Sequence, residues 1–270
     1  MEQPLSIIPD TTMKSLFLLV LAAAFVCASA LYAQAAHKDS RVYEMRIYYA
    51  APDKLDALHT RFRDHTTKLF EKHGMVNVGY WVPLDNPERK LIYILSYPSR
   101  EAREKSWKGF MADPVWQKAS KESEVNGKLV DKFESFYMTA TDYSPGMKSP
   151  ENKAPRVFEL RTYTAAPGKL SNLDARFRDH TLKLFEKHGM TNLGYWHLMP
   201  DQKAAEDTLI YILAHKSQEA GKASFGAFGK DPDWQAARKA SEEKAGGGSL
   251  TAPGGVKSVY MTATDYSQIK

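Results

Sequence analysis

A stretch of twenty-one residues, RFRDHTTKLFEKHGMVNVGYW from Arg61 to Trp81, returns as RFRDHTLKLFEKHGMTNLGYW from Arg176 to Trp196, altered only at Thr67/Leu182, Val76/Thr191 and Val78/Leu193. Repetition on this scale constrains the fold first, because a recurring unit has to pack against its own copy. RVYEMRIYYAAPDKL (Arg41 to Leu55) matches RVFELRTYTAAPGKL (Arg156 to Leu170) at an offset of 115, LIYIL matches at 118 and YMTATDYS at 123. The offset grows only between motifs, at Gln202–Ala205 and in GGGSLTAPGG, where surface loops absorb insertions. Residues 36–144 and 156–270 are therefore read as two copies, joined by a Pro- and Ser-rich linker over residues 145–155.

Within a copy the hydrophobic period changes from segment to segment. Val42 to Tyr49 alternates, Tyr43, Met45 and Ile47 against Glu44, Arg46 and Tyr48, which predicts a strand. From Pro52 to His73 the apolar residues Leu55, Leu58, Phe62, Leu69 and Phe70 recur at helical spacing, and Gly74 ends the helix. Val76 to Val82 and Leu91 to Tyr97 flank LDNPER and predict a hairpin. EAREKSWKGF predicts a second helix, restarted at Asp113-Pro114, and Phe133 to Thr141 a fourth strand. The order βαββαβ is the ferredoxin-like unit, an α+β arrangement with one sheet face bare. Two such units bury their bare faces together as one pseudo-dimeric, eight-stranded α/β barrel with helices outside.

The opening strands, LFEKHGM, the GYW strand and the W/F-x-x-F-x-x-DPxW segments (Trp107 to Trp116, Phe225 to Trp234) resemble the NIPSNAP family of the dimeric α/β barrel superfamily, in two tandem copies. The resemblance implies a fold, and no agreed reaction or catalytic residues come with it. Related barrels include cofactor-free monooxygenases, haem-handling proteins and isomerases, an analogy at the level of fold.

From Met13 the chain reads as a secretory signal peptide, with residues 1–35 removed after Ala35, or after Ala30, and residues before Met13 as an upstream extension. A secreted or periplasmic protein is expected, with no membrane span in the mature chain. Cys27 falls inside the leader, so the mature chain lacks thiol chemistry. It would carry 36 Lys and Arg against 30 Asp and Glu, a net of +6 spread over mixed faces, which does not suggest nucleic acid.

His65 and His180 of RDHT fall on the inner edge of the helical stripe at 100° per residue, and an inward imidazole near Asn77 and Trp81, or Asn192 and Trp196, has the chemistry of a general base. It equally has that of a buried, hydrogen-bonded core histidine. His73 and His188 precede the helix-ending glycine and read as caps; His59 is replaced by Asp174 in the second copy, so it is not expected to serve a function both halves share. No metal-ligand spacing stands out, so no metal and no cofactor are expected. Arg46 with Tyr48, and Arg161 with Tyr163, form a strand face suited to a ligand carboxylate or enolate; alternatively Glu44 and Glu159 pair with these arginines, within a strand or across the pseudo-twofold axis. Tyr93, Tyr211, Trp81 and Trp196 suit a core and also a planar ligand. Two functions remain: an exported small-molecule-binding protein, with cofactor-independent catalysis as its stronger form, and a non-catalytic interaction or assembly module.

Overall fold

The computed structural model describes residues 39–147 and 156–270; the proposed leader and most of the linker lie outside them. The first half runs β1 (Val42–Ala50), α1 (Leu55–Arg61), a π-helical turn (Phe62–Thr66), α2 (Thr67–Lys72), β2 (Val76–Pro83), β3 (Lys90–Tyr97), α3 (Arg100–Ala112), α4 (Pro114–Ser123) and β4 (Val130–Ala140). The second repeats it as β5 (Val157–Ala165), α5 (Leu170–Arg176), a π-helical turn (Phe177–Thr181), α6 (Leu182–Lys187), β6 (Thr191–Leu198), β7 (Thr208–His215), α7 (Gln218–Lys230), α8 (Pro232–Lys244) and β8 (Thr251–Ala263). Among the described residues no helix is long and apolar enough to cross a membrane.

The strands close into one barrel in the order β1-β3-β2-β8-β5-β7-β6-β4, every neighbouring pair antiparallel. Each half supplies the ferredoxin-like order β4-β1-β3-β2, and the edges left over pair with the other half, β2 with β8 and β4 with β6. Closure removes the open strand edges, which would otherwise be templates for aggregation. The bare faces become the barrel interior, where Tyr43, Met45, Trp81, Ile92 and Ile94 meet Phe158, Leu160, Trp196, Ile210 and Ile212. Two outer layers of aromatic and aliphatic side chains bind the helices to the sheet, one per half.

GYW has a steric basis. A Cβ on Gly79 or Gly194 would overlap the indole of Trp81 or Trp196, so glycine is what lets the ring fold back inside the barrel. A register shift at Asn77/Gly79 puts Asn77 and Tyr80 on the helix side and Trp81 in the interior.

The repeated RFRDHT and TDYS motifs meet across the halves. After β8, Tyr266 packs on Phe62 and Tyr80 of the first half and shares a hydrogen bond with His59 Nδ1 (2.8 Å); Tyr80 N–H donates to Ser267 Oγ (2.9 Å) and Arg63 pairs with Asp265. After β4 the exchange is reciprocal. Tyr143 Oη donates to Asp174 (2.6 Å), Tyr195 N–H donates to Ser144 Oγ (3.0 Å) and Arg178 pairs with Asp142. Each half thus carries the tail that finishes the other.

Helix ends are capped as the sequence suggests. Asp113 is the N-cap of α4, with Pro114 in the first turn, and its carboxylate also meets Lys72 Nζ and His73 Nε2, both at 2.7 Å; Asp231 does the same for Lys187 (2.8 Å) and His188 (2.7 Å). His73 and His188 therefore join the C-terminal ends of α2 and α6 to the next helices.

Candidate functional site

An aromatic-walled cavity of about 540 Å³ lies under the first half's helices, on the outer face of the sheet. β1 contributes Arg46 and Tyr48; α1 and the turn after it contribute Arg61, Phe62 and Thr66; Phe70 follows on α2. α3 adds Arg103, Trp107, Phe110 and Met111, α4 adds Trp116, and β4 closes the side with Phe133, Ser135 and Tyr137. Met111 and Phe133 are exposed, which places the mouth between α3 and β4.

The floor is organised by Glu44, which is fully buried. Its carboxylate accepts from Arg46 Nη1 (2.7 Å), Arg103 Nη2 and Nε (3.0 and 3.1 Å), Tyr97 Oη (3.0 Å), Trp107 Nε1 (3.2 Å) and Ser135 Oγ (2.7 Å). Burial pushes this carboxyl up, but the Arg103 hydrogen bond, the Arg46 charge and the Ser135 hydroxyl outweigh it and hold the pKa at about 2. Burial also works against the Arg46 charge, and Tyr93, Tyr48 and Glu44 overcome it, so that its pKa is raised. The Arg46 guanidinium lies between Trp107 (4.4 Å to the ring centroid) and Phe133 (4.5 Å). Arg61, also buried, stacks near Trp116 and donates through Nη1 to Ser123 (3.3 Å) and Glu124 (3.0 Å). Only arginines and tyrosines among the lining residues titrate, so at neutral pH the pocket can hold and polarise an anion but has no general base.

The second half has the same scaffold with a different interior. Tyr97, Arg103, Trp107 and Phe133 give way to His215, Gly221, Phe225 and Val256 at the matching positions. Glu159 accepts from Arg161 and from His215 Nε2 (3.0 Å), and Arg161 Nε is turned to Tyr211 Oη (2.9 Å). The cavity there is about 260 Å³, lined by Tyr163 and Arg176 but not by Arg161. Arg46 and Arg161 pair with the glutamate of their own strand, and the expected alternative across the pseudo-twofold axis does not occur.

Of the residues singled out from sequence, Arg46 and Tyr48 line the large cavity. His65 and His180 do not face inward: both are exposed. The π-helical turns at Phe62–Thr66 and Phe177–Thr181 advance by fewer degrees per residue than an α-helix, carrying these histidines off the apolar stripe and the threonines after them onto it. Thr66 and Thr181 are buried and donate to the carbonyls of Arg61 and Arg176 at 3.1 Å. Asn77 is occupied with Thr67 O (3.0 Å) and Glu71 (2.9 Å) and accepts from Tyr80; Asn192 repeats this with Leu182 O, Glu186 and Tyr195. Trp81 and Trp196 stand on the opposite side of the sheet from the histidines, inside the barrel. Tyr93 and Tyr211 are fully buried beneath the helices. Arg61, Arg103, Trp107 and Trp116 were not among the expected residues; the difference between copies at Arg103/Gly221 and Trp107/Phe225 is a signal for two of them, whereas Arg61 and Trp116 recur as Arg176 and Trp234 and carry none.

Two ferredoxin-like halves closed into a single eight-stranded barrel, with a ligand-sized pocket between sheet and helices, define an α/β barrel. Within that class, the chain belongs to the NIPSNAP family, whose profile matches residues 43–145 and 158–246. Among solved structures, a proposed monooxygenase from Lactobacillus acidophilus NCFM is similar at 12% identity, over 83% of this chain and 94% of that one, with a TM-score of 0.54. A proposed monooxygenase from Fusobacterium nucleatum is similar at 8% identity over 86% and 98%, TM-score 0.54. A NIPSNAP family protein from Agrobacterium tumefaciens C58 matches at 23% identity over 39% of this chain and 97% of its own length, TM-score 0.36. No curated protein is significantly similar to the chain.

Proposed function

We propose that this is an exported protein that binds a small organic molecule in the pocket of its first repeat. The observation that carries the reading is the cavity of about 540 Å³, walled by aromatic rings over a floor of buried arginines. Pockets of this size and lining are the usual sites of small organic ligands, and packed interiors rarely leave such space unused. The leader-like segment from Met13 supports export to a secreted or periplasmic destination, and mass spectrometry of the exported protein should find an N-terminus at Ala36. Catalysis without a cofactor is the second reading. The monooxygenase descriptions of the structural neighbours favour it, and since the pocket lacks a base, a substrate would have to arrive already ionised.

The test is a thermal-shift screen of the mature chain against organic acids, phenols and neutral aromatics, with native mass spectrometry of whatever copurifies. A stabilising ligand that quenches tryptophan emission, an effect lost in Trp107→Phe/Trp116→Phe, supports the reading. A screen without any stabilising ligand returns the chain to the interaction or assembly class.

A further inference from the structure

The geometry points to a flat, apolar monoanion, such as an aromatic carboxylate, as the occupant of the first-repeat pocket, at one molecule per chain, with the second repeat kept as a structural lobe. This rests on the small-molecule reading above and specifies it.

Charge gives the sign. Three buried or half-buried arginines, Arg46, Arg61 and Arg103, line the cavity, whereas two carboxylates, Glu44 and Glu124, answer them from the protein interior and its rim. Arg103 has a further partner in Glu104, which is largely exposed and therefore screened. A guanidinium left in excess inside a low-dielectric wall attracts an anion.

Hydrogen bonding gives the position. Arg46 and Arg61 are about nineteen-twentieths buried, and each leaves its Nε–H without a protein acceptor. Both bonds that Arg61 makes run through Nη1, so the other edge of its fork is not engaged by protein. An oxyanion in the cavity is met by that second Arg61 edge, Nη2, since the Nε–H atoms themselves have almost no accessible surface. The shape follows from the walls: Phe62, Phe70, Trp107, Phe110, Trp116 and Phe133 offer ring faces and edges with few polar tips, which favours a flat apolar body behind the charged end.

The stoichiometry comes from the contrast between halves. In the second, Arg161 Nε is satisfied by Tyr211, glycine replaces Arg103, and the cavity has about half the volume. Arg176 keeps the place of Arg61, its Nε–H likewise without a protein acceptor, and shares Glu242 with the exposed Arg238, so the halves differ in cavity size and in the engagement of Arg161 rather than in charge.

The full mature chain would be titrated with 2-naphthoate and with neutral 2-naphthamide, by calorimetry and tryptophan fluorescence. Expected are one site per chain and at least about tenfold tighter binding of the acid, equivalent to about 1.4 kcal/mol. Arg61→Gln should abolish that preference. Arg103→Gly installs the residue the second half already tolerates, so the fold should persist while the preference falls; Arg176→Gln should leave the preference for the acid unchanged. Equal binding of acid and amide in the pocket overturns the anion assignment and leaves the small-molecule reading standing. Two equivalent sites overturn the division between halves. Binding of neither probe overturns the inference, and the broader reading falls with it only if the ligand screen also fails.

Discussion

Replacing Glu44 by glutamine removes the charge on which the first repeat's floor converges. Glutamine keeps one acceptor oxygen, but turns the other into a donor among Arg103 Nε, Tyr97 Oη and Trp107 Nε1, all of which donate to Glu44 in the native chain. Two independent routes give the size of the effect. Removing one partner of a buried ion pair costs about 3–5 kcal/mol, because the other charge stays buried and unpaired. A carboxyl moved from its ordinary 4.5 to about 2 corresponds to a contribution of about 3 kcal/mol at neutral pH. The sign with pH follows from the direction of that shift. A depressed carboxyl stabilises the fold fully above its unfolded pKa and loses that contribution as pH falls through the folded one. The stability difference between wild type and Glu44→Gln should thus be constant above about pH 5 and shrink between pH 4.5 and 2. Urea unfolding of both proteins at a series of pH values measures it. A difference below about 1 kcal/mol at pH 7, or one that does not change on acidification, would refute the claim that this carboxylate holds the floor together.

Further perturbations separate the scaffold from the pocket. Gly79→Ala and Gly194→Ala force a Cβ against the Trp81 and Trp196 rings and should each cost about 1–3 kcal/mol, read as a fall in Tm. Tyr266→Ala empties the seat on Phe62 and Tyr80 and should cost about 3 kcal/mol, whereas Arg63→Ala breaks an exposed pair with Asp265 and should cost less than about 1 kcal/mol; comparable losses would show that the ion pair, and not the ring, fastens the tail. The double variant His65→Gln/His180→Gln changes exposed side chains and should alter stability by no more than about 0.5 kcal/mol, with ligand binding intact.

The barrel was legible because its information is periodic. Alternation in VYEMRIYY, the helical stripe through Leu58 and Phe62, and Gly74 and Asp113-Pro114 as boundary residues each fix a local geometry, and a bare sheet face leaves few ways to finish the fold. The histidines were misread because a fixed 100° step presumes an unbroken α-helix, and a π-helical turn leaves no mark in hydrophobic spacing. Tyr80 and Trp81 followed alternation, but the bulge at Gly79 put Asn77 with Tyr80 and separated it from Trp81. The pocket is a different kind of object. Its residues come from β1, α1, α2, α3, α4 and β4 and meet only after the helices dock, so no single window of sequence contains it.

Similarity and difference between the halves therefore report separate demands. Arg63 with Asp265 and Arg178 with Asp142, Tyr266 on Phe62 and Tyr143 on Phe177, and both Gly-Tyr-Trp strands are reciprocal: each half needs its own motif so that the other is completed. A change at Phe62, Arg63 or Tyr80, or at their counterparts Phe177, Arg178 and Tyr195, damages a contact across the barrel, which gives these positions a structural reason to recur. The residues over Glu44 and Glu159 answer to nothing across the barrel; they face their own helices. There the copies part, with Arg103, Trp107 and Tyr97 around an open cavity on one side and Gly221, Phe225 and His215 around a smaller one on the other. Separate identical subunits cannot hold such a difference, since any substitution would enter both sites at once. Fusion of the halves removes that coupling, and in this chain the divergence falls in the helix–sheet layer, where a ligand would be bound.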